Sequence, residues 1–196
     1  MRWPYVTTGI PDEAFERLPG IPLSKRESRV LILSQLCLQK NSIVWDIGAG
    51  TGTIAIESAL LCQEGQVIAI ERDEDVVGLI QRNAERFEVQ NMTIVAGHAP
   101  DCLQAITPLP DRICLEGGRP VDLMLRESWR YLRQGGRLVT ATDSLEAFYS
   151  LMQTLGELQA RKVEVIQSAV NRLETRGMQR VLVALDPIFI LSGEKP

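Results

Sequence analysis

The feature that most constrains this chain is a glycine-rich turn placed between a buried strand and a helix. Residues 42–47 form an apolar run interrupted by Asp46, and Gly48-Ala49-Gly50-Thr51-Gly52 follows directly. Residues 53–62 then show the apolar content of a buried helix. Glycines at alternate positions let a backbone turn sharply and approach a ligand without an intervening side chain. The pattern therefore predicts a ligand site at the carboxyl end of a parallel strand.

Apolar runs and helical periodicity alternate along the rest of the chain. A helix is expected to begin at Ser24, as the N-cap of a capping box with Glu27, and to continue to about Leu36. The other predicted helices cover residues 53–62, 74–87, 121–132 and 144–158, and the predicted strands cover residues 42–47, 66–70, 92–95, 112–115, 137–141, 162–169 and 187–191. This order predicts an α/β fold with a doubly wound, mostly parallel, seven-stranded Rossmann-like sheet and an antiparallel edge.

Length and composition narrow the class of protein. The 196 residues fit a single domain, residues 1–196, in which the Pro- and Gly-rich residues 1–23 form an arm over the ligand site. A hydrophobic fraction of 45% argues against disorder, and we see no long uncharged apolar stretch for a membrane. The start of the chain lacks the apolar core of a signal peptide, so the cytoplasm is expected. A net charge of −4 argues against a nucleic-acid binder.

Cysteine and histidine content argues against several kinds of chemistry. The four cysteines contain no Cys-x-x-Cys pair, and His98 is the single histidine, so we predict no metal site. No Gly-x-Ser-x-Gly sequence is present to supply a hydrolase nucleophile. We read His98 as an ordinary polar loop residue. Catalysis is therefore expected to depend on a bound cofactor.

Two cofactors, and one purely structural explanation, compete for the glycine turn. A dinucleotide would favour Gly-x-Gly-x-x-Gly, whereas the spacing here is Gly-x-Gly-x-Gly. Asp46 before the turn suits an amino-acid ammonium group better than a pyrophosphate. Glu71 lies 19 residues after Gly52, at the tip of the second predicted strand, where a carboxylate can accept ribose hydroxyls. A turn required only by packing would not explain the glycines and the acid together.

The turn resembles motif I of class I S-adenosylmethionine-dependent methyltransferases. The flanking segments, residues 8–15 and 22–29, and later segments at residues 70–72, 97–100, 116–118 and 135–139, resemble the cobalamin-pathway precorrin-6B carbon-15 methyltransferases (decarboxylating) over nearly the whole chain. The resemblance implies methylation of carbon-15 of precorrin-6B or cobalt-precorrin-6B with loss of the ring C acetate carboxylate. The cofactor ligands that it implies are Ser24, Gly48, Ala49, Gly50, Thr51, Gly52, Glu71 and, through its backbone N–H, Ala99.

The resemblance also carries expectations about partners. The substrate would be a carboxylate-rich tetrapyrrole, for which Arg26, Arg29, Arg72 and Arg119 are candidate ligands. A separate protein would methylate carbon-5. No catalytic base is assigned, because an electron-rich bridging carbon can attack the sulfonium methyl directly. Two departures stand out: His98 replaces a common Asp, and Glu116 and Arg119 replace a Gly-rich run.

A further expectation concerns assembly. The apolar run at residues 180–185 lies outside the seven predicted strands and ends at Pro187. An unpaired edge invites association, so the run is expected to pair between subunits, and the family resemblance implies a homotetramer. A hairpin within one chain is the alternative explanation for this run.

Two other functions stay open at this point. One is a class I methyltransferase that acts on RNA or protein, which the acidic composition disfavours. The other is a non-catalytic S-adenosylmethionine-binding partner protein, which the complete glycine turn and Glu71 disfavour.

Overall fold

The computed structural model describes residues 3–196, and its centre is a seven-stranded sheet in the order β3-β2-β1-β4-β5-β9-β6. The strands are β1 (Ile43–Ile47), β2 (Gln66–Glu71), β3 (Met92–Ala96), β4 (Arg112–Leu115), β5 (Arg137–Thr142), β6 (Arg161–Ser168), β7 (Asn171–Arg176), β8 (Gln179–Ala184) and β9 (Ile188–Glu194). The helices are α1 (Arg26–Leu36), α2 (Thr53–Leu61), α3 (Glu74–Arg86), α4 (Val121–Tyr131) and α5 (Leu145–Glu157).

Strand pairing confirms the predicted fold class. Strands β3, β2, β1, β4 and β5 pair in parallel, whereas β9 pairs antiparallel with both β5 and β6. From β1 the chain adds β2 and then β3 towards one edge of the sheet. It then returns to the other side of β1, where β4 pairs and the second half of the sheet begins. The strand order therefore reverses between β1 and β4, and ligands of such sheets bind outside the strands' carboxyl ends at this point.

Helices cover both faces of the sheet. Helices α4 and α5 bury Leu125, Trp129 and Leu151 against one face, in a cluster that includes Trp45 and Ile68. On the opposite face α1 packs against the β4, β5 and β9 side, and α2 and α3 pack against β1 and β2. Among residues 3–196, no helix is long and apolar enough to cross a membrane.

The start of α1 differs from the predicted capping box. Lys25, not Ser24, is the N-cap, and no side-chain hydrogen bond caps this helix. The Ser24 hydroxyl instead donates to Glu116 on a distant loop, and Glu27 accepts hydrogen bonds from Arg172 of β7. The local Ser-x-x-Glu pattern is thus overridden by tertiary hydrogen bonds to charged groups, which are stronger than neutral ones.

The apolar run at residues 180–185 is not left unpaired. It forms most of β8, which pairs antiparallel with β7 in a separate two-stranded sheet. The expectation of a run left unpaired within the chain was therefore wrong, and the alternative of a hairpin within one chain is confirmed. β7 could not be predicted from an apolar run, because five of its six residues are polar or charged. Leu173, Leu182 and Met178 nonetheless remain mostly exposed on this hairpin.

The segment before α1 is tied to the sheet and helices by polar contacts. Gly9 and Ile10 donate their backbone N–H groups to the Glu57 carboxylate of α2, at 2.6 and 3.2 Å. Arg29 is fully buried and reaches Glu57, the Ile10 carbonyl and the Ser24 carbonyl. Residues 1 and 2 of the predicted arm lie outside the described part of the chain. The remainder of the arm packs over α2 and α3 and ends beside the carboxyl edge of the sheet.

Candidate functional site

A cleft of about 1150 Å³ lies over the carboxyl ends of the parallel strands, where the sequence predicted a ligand site. One half is bounded by the loops that follow β1, β2 and β3. The other half is bounded by the loops after β4 and β5 and by the link from β8 to β9. Residues 21–25, which lead from the end of the arm to the start of α1, form a further wall of the cleft. The cleft is large enough for two organic ligands side by side.

The loops after β1 and β2 are held together by backbone hydrogen bonds. The N–H groups of Gly48 and Ala49 donate to the Ile70 carbonyl, at 3.0 and 3.1 Å. Gly50 donates to Glu71 Oε2 at 3.1 Å, and Glu71 Oε1 accepts from the N–H groups of the next two residues. The Glu71 carboxylate is therefore fixed at the strand tip beside the glycine turn.

The turn requires glycine for two different reasons. A Cβ on Gly48 would lie 2.1 Å from the Glu116 carbonyl oxygen, so this glycine allows the loops after β1 and β4 to touch. Gly50 has a φ of +54° and lines the cleft, with the Pro22 carbonyl 3.3 Å from its Cβ position. Gly52 does not line the cleft. Its φ of +82° and the nearby Ile80 side chain make it a packing residue at the start of α2.

Two side-chain hydrogen bonds attach the arm to the site. Thr51 Oγ1 donates to the Pro22 carbonyl at 2.8 Å, so Thr51 holds the wall of the cleft. Ser24 Oγ donates to Glu116 Oε2 at 2.5 Å and links the arm to the loop after β4. Of the predicted ligands, Ser24, Gly48, Ala49, Gly50, Thr51, Glu71 and Ala99 all line the cleft, and Gly52 does not.

The loop after β3 closes the far end of the first half. Gly97, His98 and Ala99 all line the cleft there. Among the described residues, the Ala99 backbone N–H has no hydrogen-bond acceptor, so it is free to bind a ligand. His98 is 61% exposed, with Nδ1 3.5 Å from Asp101 Oδ2, an arrangement typical of a surface loop.

Asp46 is placed differently from the expectation that it would meet a ligand ammonium group. It is 1% exposed and contributes no surface to the cleft. Neither of its carboxylate oxygens has a hydrogen-bond partner of good geometry among the described residues. Burial, reinforced by the nearby Glu116 charge, raises the pKa of Asp46 to about 8. The Ala55 amide and the Cys114 thiol oppose this shift but do not offset it.

Glu116 is a site residue whose role the sequence did not assign. It follows β4 directly, lines the cleft and bonds to Ser24. Desolvation raises the pKa of the Glu116 carboxyl, although the Ser24 hydrogen bond and the charge of Arg29 act in the opposite direction. The signals in the sequence were an acid directly after an apolar strand and its departure from the Gly-rich run of the family.

The candidate substrate arginines separate into two groups. Arg72 and Arg119 line the cleft. Arg29 is buried in an ion pair with Glu57 at 2.5 Å, and Arg26 lies outside the cleft beside Gly9. The prediction is therefore wrong for these two arginines. Lys25, which the sequence analysis did not single out, lines the cleft as well.

The strand order, the glycine turn after β1 and the acid at the tip of β2 together define a class I methyltransferase fold. Solved structures share it over nearly their full length. A precorrin-6y C5,15-methyltransferase from Geobacter metallireducens superposes with a TM-score of 0.89 at 28% identity, covering 96% of this chain and 98% of the other. The chain belongs to the precorrin methyltransferase family, because the model described as "Precorrin methyltransferase domain" matches residues 13–195.

Curated relatives agree with this assignment over the same length. A protein of Saccharolobus solfataricus is 37% identical over 199 residues, covering all of both chains, and is named "Probable cobalt-precorrin-6B C(15)-methyltransferase (decarboxylating)". A Salmonella typhimurium protein is 32% identical over 94% of this chain and 95% of its own length, and bears the same name without "Probable". A tRNA (m1A58) methyltransferase from Aquifex aeolicus, with a TM-score of 0.73 and 18% identity, shares the fold alone.

Proposed function

We propose that this protein transfers a methyl group from S-adenosylmethionine to carbon-15 of cobalt-precorrin-6B or precorrin-6B and removes the ring C acetate carboxylate as carbon dioxide. The observation that carries the proposal is the match along the whole chain to relatives named for that reaction. The cleft supports it, since its two halves provide room for a cofactor beside a larger partner.

The residues around the glycine turn fit S-adenosylmethionine. A carboxylate offers about four acceptor positions. Three of those of Glu71 are taken by backbone N–H groups, which leaves one on Oε2 for a ribose hydroxyl. The free N–H of Ala99 suits an adenine nitrogen. Gly48 to Thr51 and Ser24 would lie against the amino-acid end, where Thr51 acts through its bond to the arm.

The chain's contribution to the reaction is chiefly binding and orientation. When bound, the cofactor supplies an electrophilic methyl group. Residues 21–25 and the β8–β9 link both line the cleft, where they would hold the substrate carbon near that methyl group. Lys25, Arg72 and Arg119 would bind the carboxylates of the tetrapyrrole.

The decisive experiment is incubation of the protein with S-adenosylmethionine and a precorrin-6B-type substrate, followed by mass spectrometry. The expected product has gained one methyl group and lost one carbon dioxide. A product without the methyl group, or no product with either substrate form, would refute the proposal.

Cofactor binding is tested separately by calorimetric titration with S-adenosylhomocysteine. Glu71→Ala should weaken binding by about 1.5–3 kcal/mol, because a hydrogen bond to a charged acceptor is lost. Glu64→Ala, at an exposed glutamate away from the cleft, is the matched control and should bind as the wild type does. Equal affinity of the wild type and the Glu71 variant would contradict the site assignment.

We propose four further properties of the protein. Residues 1–196 form one domain, since the arm is joined to α2 by the buried hydrogen bonds of Gly9 and Ile10 with Glu57. The enzyme works in the cytoplasm, beside a separate carbon-5 methyltransferase. It assembles as a homotetramer through the β7–β8 hairpin, because Leu173, Met178 and Leu182 expose apolar surface there.

A further inference from the structure

Decarboxylation requires a proton that methyl transfer does not. When the acetate C–C bond breaks, carbon dioxide leaves and the electron pair of that bond is shared between the conjugated tetrapyrrole and the former methylene carbon. A proton that reaches this carbon as the bond breaks forms a C–H bond with that pair, which leaves a methyl group. An acid at the substrate half of the cleft would supply that proton at the correct carbon.

Glu116 lies where such an acid is needed. It follows β4, on the side of the strand-order reversal opposite the Glu71 loop, and its backbone carbonyl touches Gly48 at the boundary between the two halves of the cleft. Arg119, three residues further on, lines the same half. A carboxyl at this boundary can reach a substrate that is bound against the cofactor.

The surroundings of Glu116 fix its position and leave one oxygen available. Oε2 accepts the Ser24 hydroxyl at 2.5 Å, whereas Oε1 takes no hydrogen bond from any residue between 3 and 196. Burial raises the pKa of Glu116, which favours the proton-carrying form.

We propose that Glu116 is the proton donor of the decarboxylation step, an inference that rests on the proposed function. The acetate carboxylate leaves as carbon dioxide, the Glu116 proton goes to the methylene carbon, and Glu116 becomes a carboxylate. Solvent water that enters the open cleft returns the proton before the next turnover. The other acids that line the cleft are not equivalent to it: Glu71 is committed to three backbone N–H groups, Asp73 caps α3, and Asp143 and Asp186 are exposed.

The test compares Glu116→Gln with wild type by mass spectrometry of the product. Glutamine keeps the shape and can accept the Ser24 hydrogen bond, but it carries no acidic proton. Carbon dioxide release should slow by about 100-fold or more, the range for loss of a general acid. The accumulating product should carry the new methyl group and keep its carboxylate. Glu64→Gln, at an exposed site, is the control and should give the fully processed product.

Three results would overturn the proposal. The first is complete decarboxylation by the glutamine variant. The second is a loss of S-adenosylhomocysteine affinity in that variant, which would make Glu116 a cofactor ligand. The third concerns a second variant, for the case in which Glu116→Gln does not fold. Glu116→Asp keeps the acid on a shorter side chain and should raise the fraction of product that keeps its carboxylate. A wild-type product pattern from Glu116→Asp would contradict the assignment. If wild type forms no methylated product, the proposed function fails instead.

Discussion

The buried carboxyl of Asp46 should make the stability of the protein depend on pH in a direction opposite to that of a salt-bridged acid. Its pKa is raised to about 8 in the folded state, whereas an aspartate in an unfolded chain titrates near 3.9. Between these two values the folded state binds more protons than the unfolded state. The free energy of unfolding therefore falls as pH rises through this window.

The size of the effect follows from the width of the window. Each pH unit between the two pKa values removes about 1.4 kcal/mol from the free energy of unfolding. From about pH 5 to about pH 8, with flattening near the upper limit, the Asp46 contribution amounts to about 3–4 kcal/mol. Water that enters beside the ionised carboxyl would reduce this figure, so it is an upper limit.

Asp46→Asn removes the titration and keeps the shape of the side chain. Chemical denaturation at a series of pH values, followed by tryptophan fluorescence to which the buried Trp45 and Trp129 contribute, measures the free energy of unfolding of each variant. The difference between Asp46→Asn and wild type should grow in favour of the variant as pH rises. Asp75→Asn, at an exposed position, controls for a general charge effect. Parallel pH profiles of wild type and Asp46→Asn would refute the reasoning.

Two further predictions concern packing and assembly. Gly48→Ala should destabilise the protein by about 2 kcal/mol or more relative to Gly20→Ala, as measured by thermal or chemical unfolding. Both glycines have φ near +80°, but of the two only Gly48 would bring its new Cβ against a backbone oxygen. Equal losses of stability in the two variants would contradict this reasoning. Light scattering should give a mass well above 21.8 kDa, and Leu182→Lys on the hairpin should lower it; a monomeric wild type at micromolar concentration would contradict the proposed tetramer.

The sequence predicted the central sheet well because burial on both faces leaves a clear signal. Strands such as β1 and β2 read as short apolar runs, and the glycine turn and Glu71 occupy the predicted places at their ends. β7 was missed for the converse reason. Leu173 lies between charged neighbours, and most residues of β7 are exposed. The strand therefore has no buried face that would require an apolar pattern in the sequence.

The site was predictable where a local pattern fixes the geometry and not where distant segments meet. Gly50 and Glu71 are placed by the ends of two adjacent strands. Ser24 was predicted to line the site but also to cap α1, and the second role was wrong because its hydroxyl bonds to Glu116, 92 residues away. Arg29 was a candidate substrate ligand in the sequence, but it is buried against Glu57 from another helix.

The long reach of the arm's contacts bears on the order in which the molecule is completed. The hydrogen-bond partner of Gly9 is Glu57, 48 residues later in the chain. The partner of Ser24 is Glu116, 92 residues later, and a partner of Asp12 is Arg172, 160 residues later. During synthesis the first residues to emerge are thus among the last to find their partners. Closing loops of this length is slow compared with forming neighbouring strands and helices. The cleft wall forms after the sheet beneath it, and under mild denaturant ligand binding should be lost before the core unfolds.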